Sequence, residues 1–292
     1  MDVFLKTWRL LLMAAFLLPL PACSHEPVAT RSGIWSTADD VSNCRALLTS
    51  SRVTDNALDP SSIRLFNWNL QKSRQPHWRN DIEALASAAD LVLIQEASIR
   101  EETIDKIDSS LHWSFAPGYS TPGEITGVMT LSKSPPISQC SFAAAEPWLR
   151  TPKAASVTQY ALRGSDETLV VVNIHAVNFT FGTNDYSAQF SQLAEVLKAH
   201  TGPIILSGDL NTWRGKRVRI VADLAESLSM TAVDFERDNR KTVFGKALDH
   251  IYVRGLEVLD ADTAVVDSSD HNPMIAEFGV AGEPSATAVL AE

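Results

Sequence analysis

From residue 63 onward, short apolar runs that end in polar side chains alternate with stretches whose apolar positions recur every three or four residues. The runs at 63–70, 91–96, 125–132, 169–177, 203–208 and 248–253 are short, rich in β-branched residues and bounded by turn formers, so they predict strands. Where the period lengthens, helices are predicted. The stretch 80–89 puts Ile82, Leu85, Ala86 and Ala89 on one face, 186–200 aligns Phe190, Leu193, Val196 and Leu197 ahead of Gly202, and 217–228 offers Ile220, Val221 and Leu224. This alternation predicts an α/β architecture. No long Pro/Gly/Ser linker or repeat interrupts 62–279, which reads as one domain followed by a flexible tail at 280–292.

The N-terminal pattern differs. Lys6 and Arg9 precede an apolar run at 10–22 that is shorter than the roughly 20 residues needed to span a bilayer, so 1–22 reads as a signal peptide. It ends in LPAC at 20–23, which resembles a bacterial lipobox and would place a lipid anchor on Cys23. Ordinary cleavage after Ser24 is the alternative, because Ala22 and Ser24 are both small. Either way an exported chain is expected, anchored to a bacterial membrane or periplasmic or secreted. Residues 23–61 are polar, with one modest helical pattern near 40–48, and read as a tether and lead-in. Cys44 and Cys140 remain as an even pair that an oxidising compartment could keep bridged, two unrelated buried thiols being the other reading.

Nearly every predicted strand finishes with a group that an apolar core would not select. Asn67 and Asn69 close 63–70, Glu96 ends 91–97 in line with Val92 and Ile94, and His175 lies in 169–179. Asp209 and Asn211 follow 204–208, Asp249 and His250 open 248–253, and Asp270 and His271 lie in 268–273. Singly, each is a turn former or a hydrogen-bonded core residue. Together, four carboxylates at the ends of apolar strands need cations or donors, since an unpartnered buried carboxylate costs several kcal/mol. Oxygen ligands without thiolates favour a hard cation, Mg²⁺ or Mn²⁺, over Zn²⁺.

Charge narrows the ligand. The chain carries 35 acidic and 25 basic residues, a formal −10, which disfavours tight nucleic-acid binding unless a local basic patch compensates. Patches at Arg214, Lys216, Arg217 and Arg219, and at Arg237, Arg240 and Lys241, read first as solvated faces.

The ordered set WN at 68–69, QE at 95–96, TGVMTLS at 126–132, NIHAVN at 173–178, GDLN at 208–211, LDHI at 248–251 and SDHNP at 269–273 resembles the endonuclease/exonuclease/phosphatase superfamily, most closely its YafD-like bacterial branch. The resemblance implies a DNase I-like four-layer sandwich, two packed mixed β-sheets flanked by helices, and a metal-dependent phosphoesterase. By position it implies Glu96 as principal metal ligand, with Asn69 beside it and Asp270 available to the metal. Asp209 would orient or deprotonate the attacking water, and Asn211 would position it or hold a phosphate oxygen. His271, oriented by Asp249, would be base or phosphate stabiliser, and His175 would donate to the phosphate. His175 stands where abasic-site endonucleases have a tyrosine, which disfavours that role. Asn178, Arg240 and Lys241 are candidate substrate contacts, a turn amide and a solvated basic pair being the alternative. His250, a strand neighbour of Asp249, is expected to face away.

The expected substrate is a phosphoester, a nucleic acid or small phosphodiester, with a sphingomyelinase-like lipid phosphodiesterase as the alternative. That alternative needs an exposed apolar loop, for which HWSFAPGY at 112–119 is the candidate. A catalytically silent binding protein of the same fold is the third reading. No obligate protein partner is evident.

Overall fold

The computed structural model describes residues 36–49, 54, 56–75, 77–99, 110–147 and 151–282. The signal peptide, Cys23 and the tail from 283 lie outside the described residues.

Two mixed sheets form the body. The six-stranded sheet has the order β14-β15-β2-β3-β5-β4, built from Leu256–Thr263, Met274–Val280, Ile63–Asn69, Leu91–Ile99, Glu124–Ser132 and His112–Thr121. The seven-stranded sheet has the order β1-β6-β7-β8-β9-β13-β10, built from Ser36–Ala38, Ser138–Ala145, Pro152–Ala161, Thr168–His175, Ile204–Asp209, Asp249–Arg254 and Thr231–Ala232. A separate hairpin pairs β11, Thr242–Val243, with β12, Lys246–Ala247.

Period-two alternation sorts the side chains into layers. In β8, Val170, Val172 and Ile174 pack with the helices α3 (Asn184–Leu197) and α4 (Gly215–Ser227), while Leu169 and Val171 meet Leu65, Leu91 and Leu93 of the other sheet. In β2, Phe66 and Trp68 face α2 (Trp78–Ala86), with Val92 and Ile94 beside them, and Leu65 faces inward. The result is helix, sheet, sheet, helix, the four-layer sandwich that the resemblance implies. At 20–33 cal/mol per Å² of apolar surface, the contact between the sheets holds the strand ends in fixed register.

The predicted strands and helices fall on observed ones with ends shifted by up to about three residues, as expected of boundaries read from sequence. β6, β7, β14 and β15 carry no clear alternation. In β7, Ser156, Thr158 and Gln159 are as buried as their apolar neighbours; Gln159 donates to Thr168 at 2.8 Å and to Leu48 O at 3.2 Å, and Thr158 donates to Val171 O at 3.3 Å. Part of the lead-in belongs to the fold. Residues 36–38 form β1, parallel to β6, and α1 (Val41–Leu48) is capped by Asp40, whose carboxylate accepts from Asn43 N at 2.9 Å. Cys44 of α1 is bridged to Cys140 of β6, which decides between the two readings of that pair. HWSFAPGY is no membrane loop, because it begins β4, with Trp113 and Phe115 in the core against α2.

Candidate active site

At one edge of the sandwich the ends of β2, β3, β7, β8, β9 and β13 surround a cleft of about 650 Å³. Sheet register builds its centre. β8 runs parallel to β9 with His175 opposite Asp209, and β13 runs antiparallel to β9 with Asp249 opposite Asp209, so three polar groups stand in one row across adjacent strands. Gly208 permits this closeness, because a Cβ there would meet Ile174 O at 1.9 Å.

His271 enters from the loop before β15. That loop is fixed to the end of β2: Ser269 Oγ donates to Asn69 O at 2.6 Å and accepts from His271 N at 3.2 Å, and Trp68 Nε1 donates to His271 O at 2.8 Å. His271 Nδ1 then donates to Asp249 Oδ2 at 2.7 Å, leaving Nε2 at 4.0 Å from Asp209 Oδ2. Burial opposes a charged imidazole, but the Asp249 carboxylate, by charge and by hydrogen bond, with Asp209 and Asp270 adding to it, lifts the His271 pKa to about 10. His271 is therefore an imidazolium at neutral pH.

Asp209 is held from several sides. Asn211 N donates to its Oδ1 at 3.0 Å and Asn69 Nδ2 to its Oδ2 at 3.0 Å. Burial pushes its pKa up to about 7, His271 opposing and Asp249 reinforcing that shift. A carboxylate that titrates near neutrality is suited to accept a proton. His175 behaves oppositely: burial and the Lys153 ammonium drive its pKa well below the usual histidine range. Lys153 Nζ lies 3.1 Å from His175 Nε2, so the lysine donates and the imidazole accepts. Lys153, at the start of β7, thus stands beside the His175 for which a phosphate-donor role was implied, and no motif marked it.

Glu96 reaches the cleft through a break in the strand. Regular alternation puts it with Val92 and Ile94 on the face toward α2. A bulge between Ile94 and Ala97, with Glu96 in the left-handed region at φ 51°, turns the carboxylate inward. It sits 3.7 Å from Lys153 Nζ and 3.9 Å from His175 Nε2. Beneath it, Gln95 donates to Asn67 at 2.9 Å and to Asn173 at 2.7 Å, a satisfied polar floor between the sheets.

The cleft wall brings together Asn69, Glu96, His175, Asn178, Asp209, Asn211, Asp270 and His271, with Asp249 directly behind His271. Glu96, Asn69 and Asp270 line the cleft with the oxygen donors that suit a hard divalent cation, although Asn69 Oδ1 also accepts from Gln71 N at 3.0 Å, and Asp249 Oδ1 is buried without a hydrogen-bond partner among the described residues. Asp209, Asp249 and His271 also offer ligand atoms within 4.8 Å of one another, although His271 Nδ1 is already committed to Asp249.

Other expectations are corrected. Arg240 does not line the cleft: its guanidinium donates to Asp238 at 2.7 and 2.8 Å and to Asp249 O at 3.1 Å, bracing β13 from behind. His250 does face away, donating or accepting at Thr212 Oγ1, 2.7 Å distant. Arg217 belongs to no solvated patch, being 1% exposed. Its guanidinium donates to Val177 O at 2.8 Å, Asn211 O at 3.1 Å and Asn178 O at 2.5 Å, which ties the loop after β8 to the loop after β9. From the other side buried Glu146 accepts from Asn178 N at 2.7 Å. Arg217→Lys keeps the charge but loses the planar fork. It is expected to cost roughly 1–3 kcal/mol in urea unfolding through unsatisfied carbonyls.

The sequence profile of the endonuclease/exonuclease/phosphatase family matches residues 66–271, and so spans the row and the loop just described. The chain belongs to that family. It is 32% identical over 280 residues to a UPF0294 protein of Vibrio parahaemolyticus serotype O3:K6, covering 94% of this chain and 97% of that one. Such relatives are the YafD-like branch. Among solved folds it is similar to the endonuclease/exonuclease/phosphatase from Beutenbergia cavernae DSM 12333, with TM-score 0.59, 16% identity and coverage of 77% of this chain and 73% of that chain. D. rerio TDP2, crystallised with a single-strand DNA product, aligns with TM-score 0.54 and 15% identity over 75% of this chain and 99% of its own. Members of this family are phosphoesterases, and family enzymes typically use divalent metals.

Proposed function

We propose that this family member is an exported, Mg²⁺- or Mn²⁺-dependent phosphodiesterase of nuclease type. The reading rests above all on one arrangement: buried Asp209 stands in register with His175 and Asp249 across adjacent strands at the cleft, facing a His271 that Asp249 holds at 2.7 Å. In this mechanism Asp209 takes the proton of the attacking water as the water oxygen bonds to phosphorus, and the leaving oxygen departs with the electron pair of the broken bond and takes a proton from solvent. Asn211 N and Asn69 Nδ2 fix the carboxylate for that task. His271 and Lys153 place positive charge against the phosphate oxygens, His271 as stabiliser and Asp209 as base. Glu96, Asn69 and Asp270 would hold the metal, which supplies further positive charge at a non-bridging oxygen. Export accords with the leader pattern and with the Cys44–Cys140 bridge, since disulfides persist in oxidising compartments. Cys23 is the proposed lipid anchor. The single-strand DNA product held by TDP2 favours a nucleic-acid substrate over a lipid, as does burial of Trp113 and Phe115.

The test is hydrolysis of bis-p-nitrophenyl phosphate, single- and double-stranded DNA and sphingomyelin with Mg²⁺, with Mn²⁺ and with EDTA. EDTA is expected to lower turnover about a hundredfold or more, as removal of transition-state charge stabilisation does. Turnover indifferent to EDTA would remove the metal from the mechanism. A chain that cuts nothing with either metal would be a silent binding protein.

A further inference from the structure

The family's hydrolytic row leaves the rim of the cleft unexplained. Phe244 is 82% exposed and Phe179 55% exposed. Phe244 and Gly245 form the two-residue turn of the β11–β12 hairpin with φ 51° and 71°, a conformation that favours Asn or Gly and penalises an aromatic side chain. An exposed phenylalanine in a strained turn serves neither core nor backbone, and such an outlier points to a ligand. Phe179 lines the cleft, and Lys241 and Val243 line it immediately before Phe244, which places the tip of the hairpin at the cleft's edge. Phe244 packs 6.4 Å from Trp213, whose Nε1 donates to Asn178 Oδ1 at 2.8 Å, and Phe179 follows Asn178 on the cleft wall. Trp213 itself is taken up by Arg214 and Arg217, at 4.4 and 4.8 Å from its ring, so it backs the rim rather than receiving a ligand.

Charge says what the rings receive. Lys72, Arg74 and Lys241 also line the cleft, and none makes a side-chain ion pair or hydrogen bond among the described residues. Lys72 sits in three consecutive left-handed residues, Gln71, Lys72 and Ser73, with φ of 48°, 60° and 53°. One phosphodiester already has Lys153, His271 and the carboxylate-held cation site, so three more unpaired cations suit a ligand with several phosphates. Rings on a lip above such a wall, with Lys241 and Lys246 on the hairpin itself, match a polyanion that has free π faces better than an apolar membrane interior. Bases in a duplex are stacked on one another and offer no such face.

We propose that Phe244 and Phe179 are stacking platforms for unpaired bases of a single-stranded nucleic acid whose phosphates pass Lys241, Lys72 and Arg74 into the hydrolytic centre. The local cations offset the overall −10 charge that otherwise disfavours nucleic acid. The proposal rests on the hydrolytic reading only for where the cut phosphate lies.

The experiment uses the full chain in mild detergent. Fluorescence anisotropy of labelled oligothymidylate and oligouridylate in EDTA reads binding without cleavage, and hydrolysis of bis-p-nitrophenyl phosphate reads the centre. Phe244→Gly, which relaxes the turn and so keeps the fold, is expected to weaken oligonucleotide binding about tenfold, and Phe244→Tyr to restore it, because stacking needs only the ring. Lys241→Gln should flatten the salt dependence of binding. Unequal affinity for the two oligonucleotides supports the proposal and says whether DNA or RNA is preferred. Binding that is absent, or that Phe244→Gly leaves unchanged, overturns the proposal even if bis-p-nitrophenyl phosphate is cut. Loss of phosphatidylcholine vesicle association in Phe244→Gly with oligonucleotide binding intact also overturns it and makes the rim a membrane contact. Ring-dependent binding by a chain that hydrolyses nothing supports the subsite and removes the hydrolytic reading instead.

Discussion

Asp249→Asn is expected to lower turnover of bis-p-nitrophenyl phosphate about a hundredfold to a thousandfold, the range for losing one positioned group that stabilises transition-state charge, while the chain stays folded. The carboxylate both fixes the His271 ring, at 2.7 Å, and holds its proton, so the amide removes the charge and leaves a neutral imidazole facing Asp209. Steady-state kinetics checks this, and a fall in kcat with little change in KM is the expected form. The same variant has a stability signature. The folded His271 pKa of about 10 lies above its ordinary 6.5, so the pair's contribution is complete below about 6.5 and is lost as pH rises through about 10. Asp209, raised from 3.8 to about 7, adds a decline in stability across that lower interval, because its buried form holds its proton longer than the unfolded chain does. Burial lowers the pKa of His175 and His250, which opposes the Asp209 decline below about 6.5, so urea unfolding of the metal-free protein is expected to show stability falling from about neutral to alkaline pH, the range that His271 governs. Asp249→Asn should flatten the alkaline limb, and an unchanged limb would mean that His271 is not protonated by this pair.

Breaking the Cys44–Cys140 bridge should have the largest effect on stability. It joins positions 96 apart in sequence, and a loop of that size gives up to about 4.7 kcal/mol by restricting the unfolded chain. Both cysteines lie in the cluster between the helices and the seven-stranded sheet, and neither lines the cleft. Cys44→Ala/Cys140→Ala is therefore expected to unfold at much lower urea while cutting bis-p-nitrophenyl phosphate at the original rate at 25 °C. Hydrogen exchange should show β1 and α1 loosening first, since β1 touches the sheet only through β6. Activity lost in parallel with stability would place the bridge in the site's own support.

Much of this was written in local pattern. The alternation in 169–175 and 204–209 put His175 and Asp209 at the ends of neighbouring buried strands, and the same alternation turned His250 away from Asp249. GDLN also carries its own geometry, because Gly208 allows the close approach that brings Asp209 opposite His175. These features depend on residues one to four apart, whose steric and hydrophobic preferences act within a single element. Other features were set by contacts between distant segments. Glu96 faced the wrong layer on any regular strand, and only the bulge imposed by pairing with β5 aimed it into the cleft. Lys153 became the donor beside His175 because β7 pairs with β8, a neighbour that its own flat pattern of small and polar residues did not announce. Arg217 looked like one charge in a solvated patch, yet loops 176–180 and 211–213 close around it and their carbonyls accept its hydrogen bonds. The sequence by itself determined the alternation of strands and helices and most of the groups that meet at the cleft, since periodicity is a local property, while the order of the layers followed from the family resemblance. Only the tertiary structure decided which of them carry protons and which way Glu96 points, since desolvation and pairing act across the whole fold.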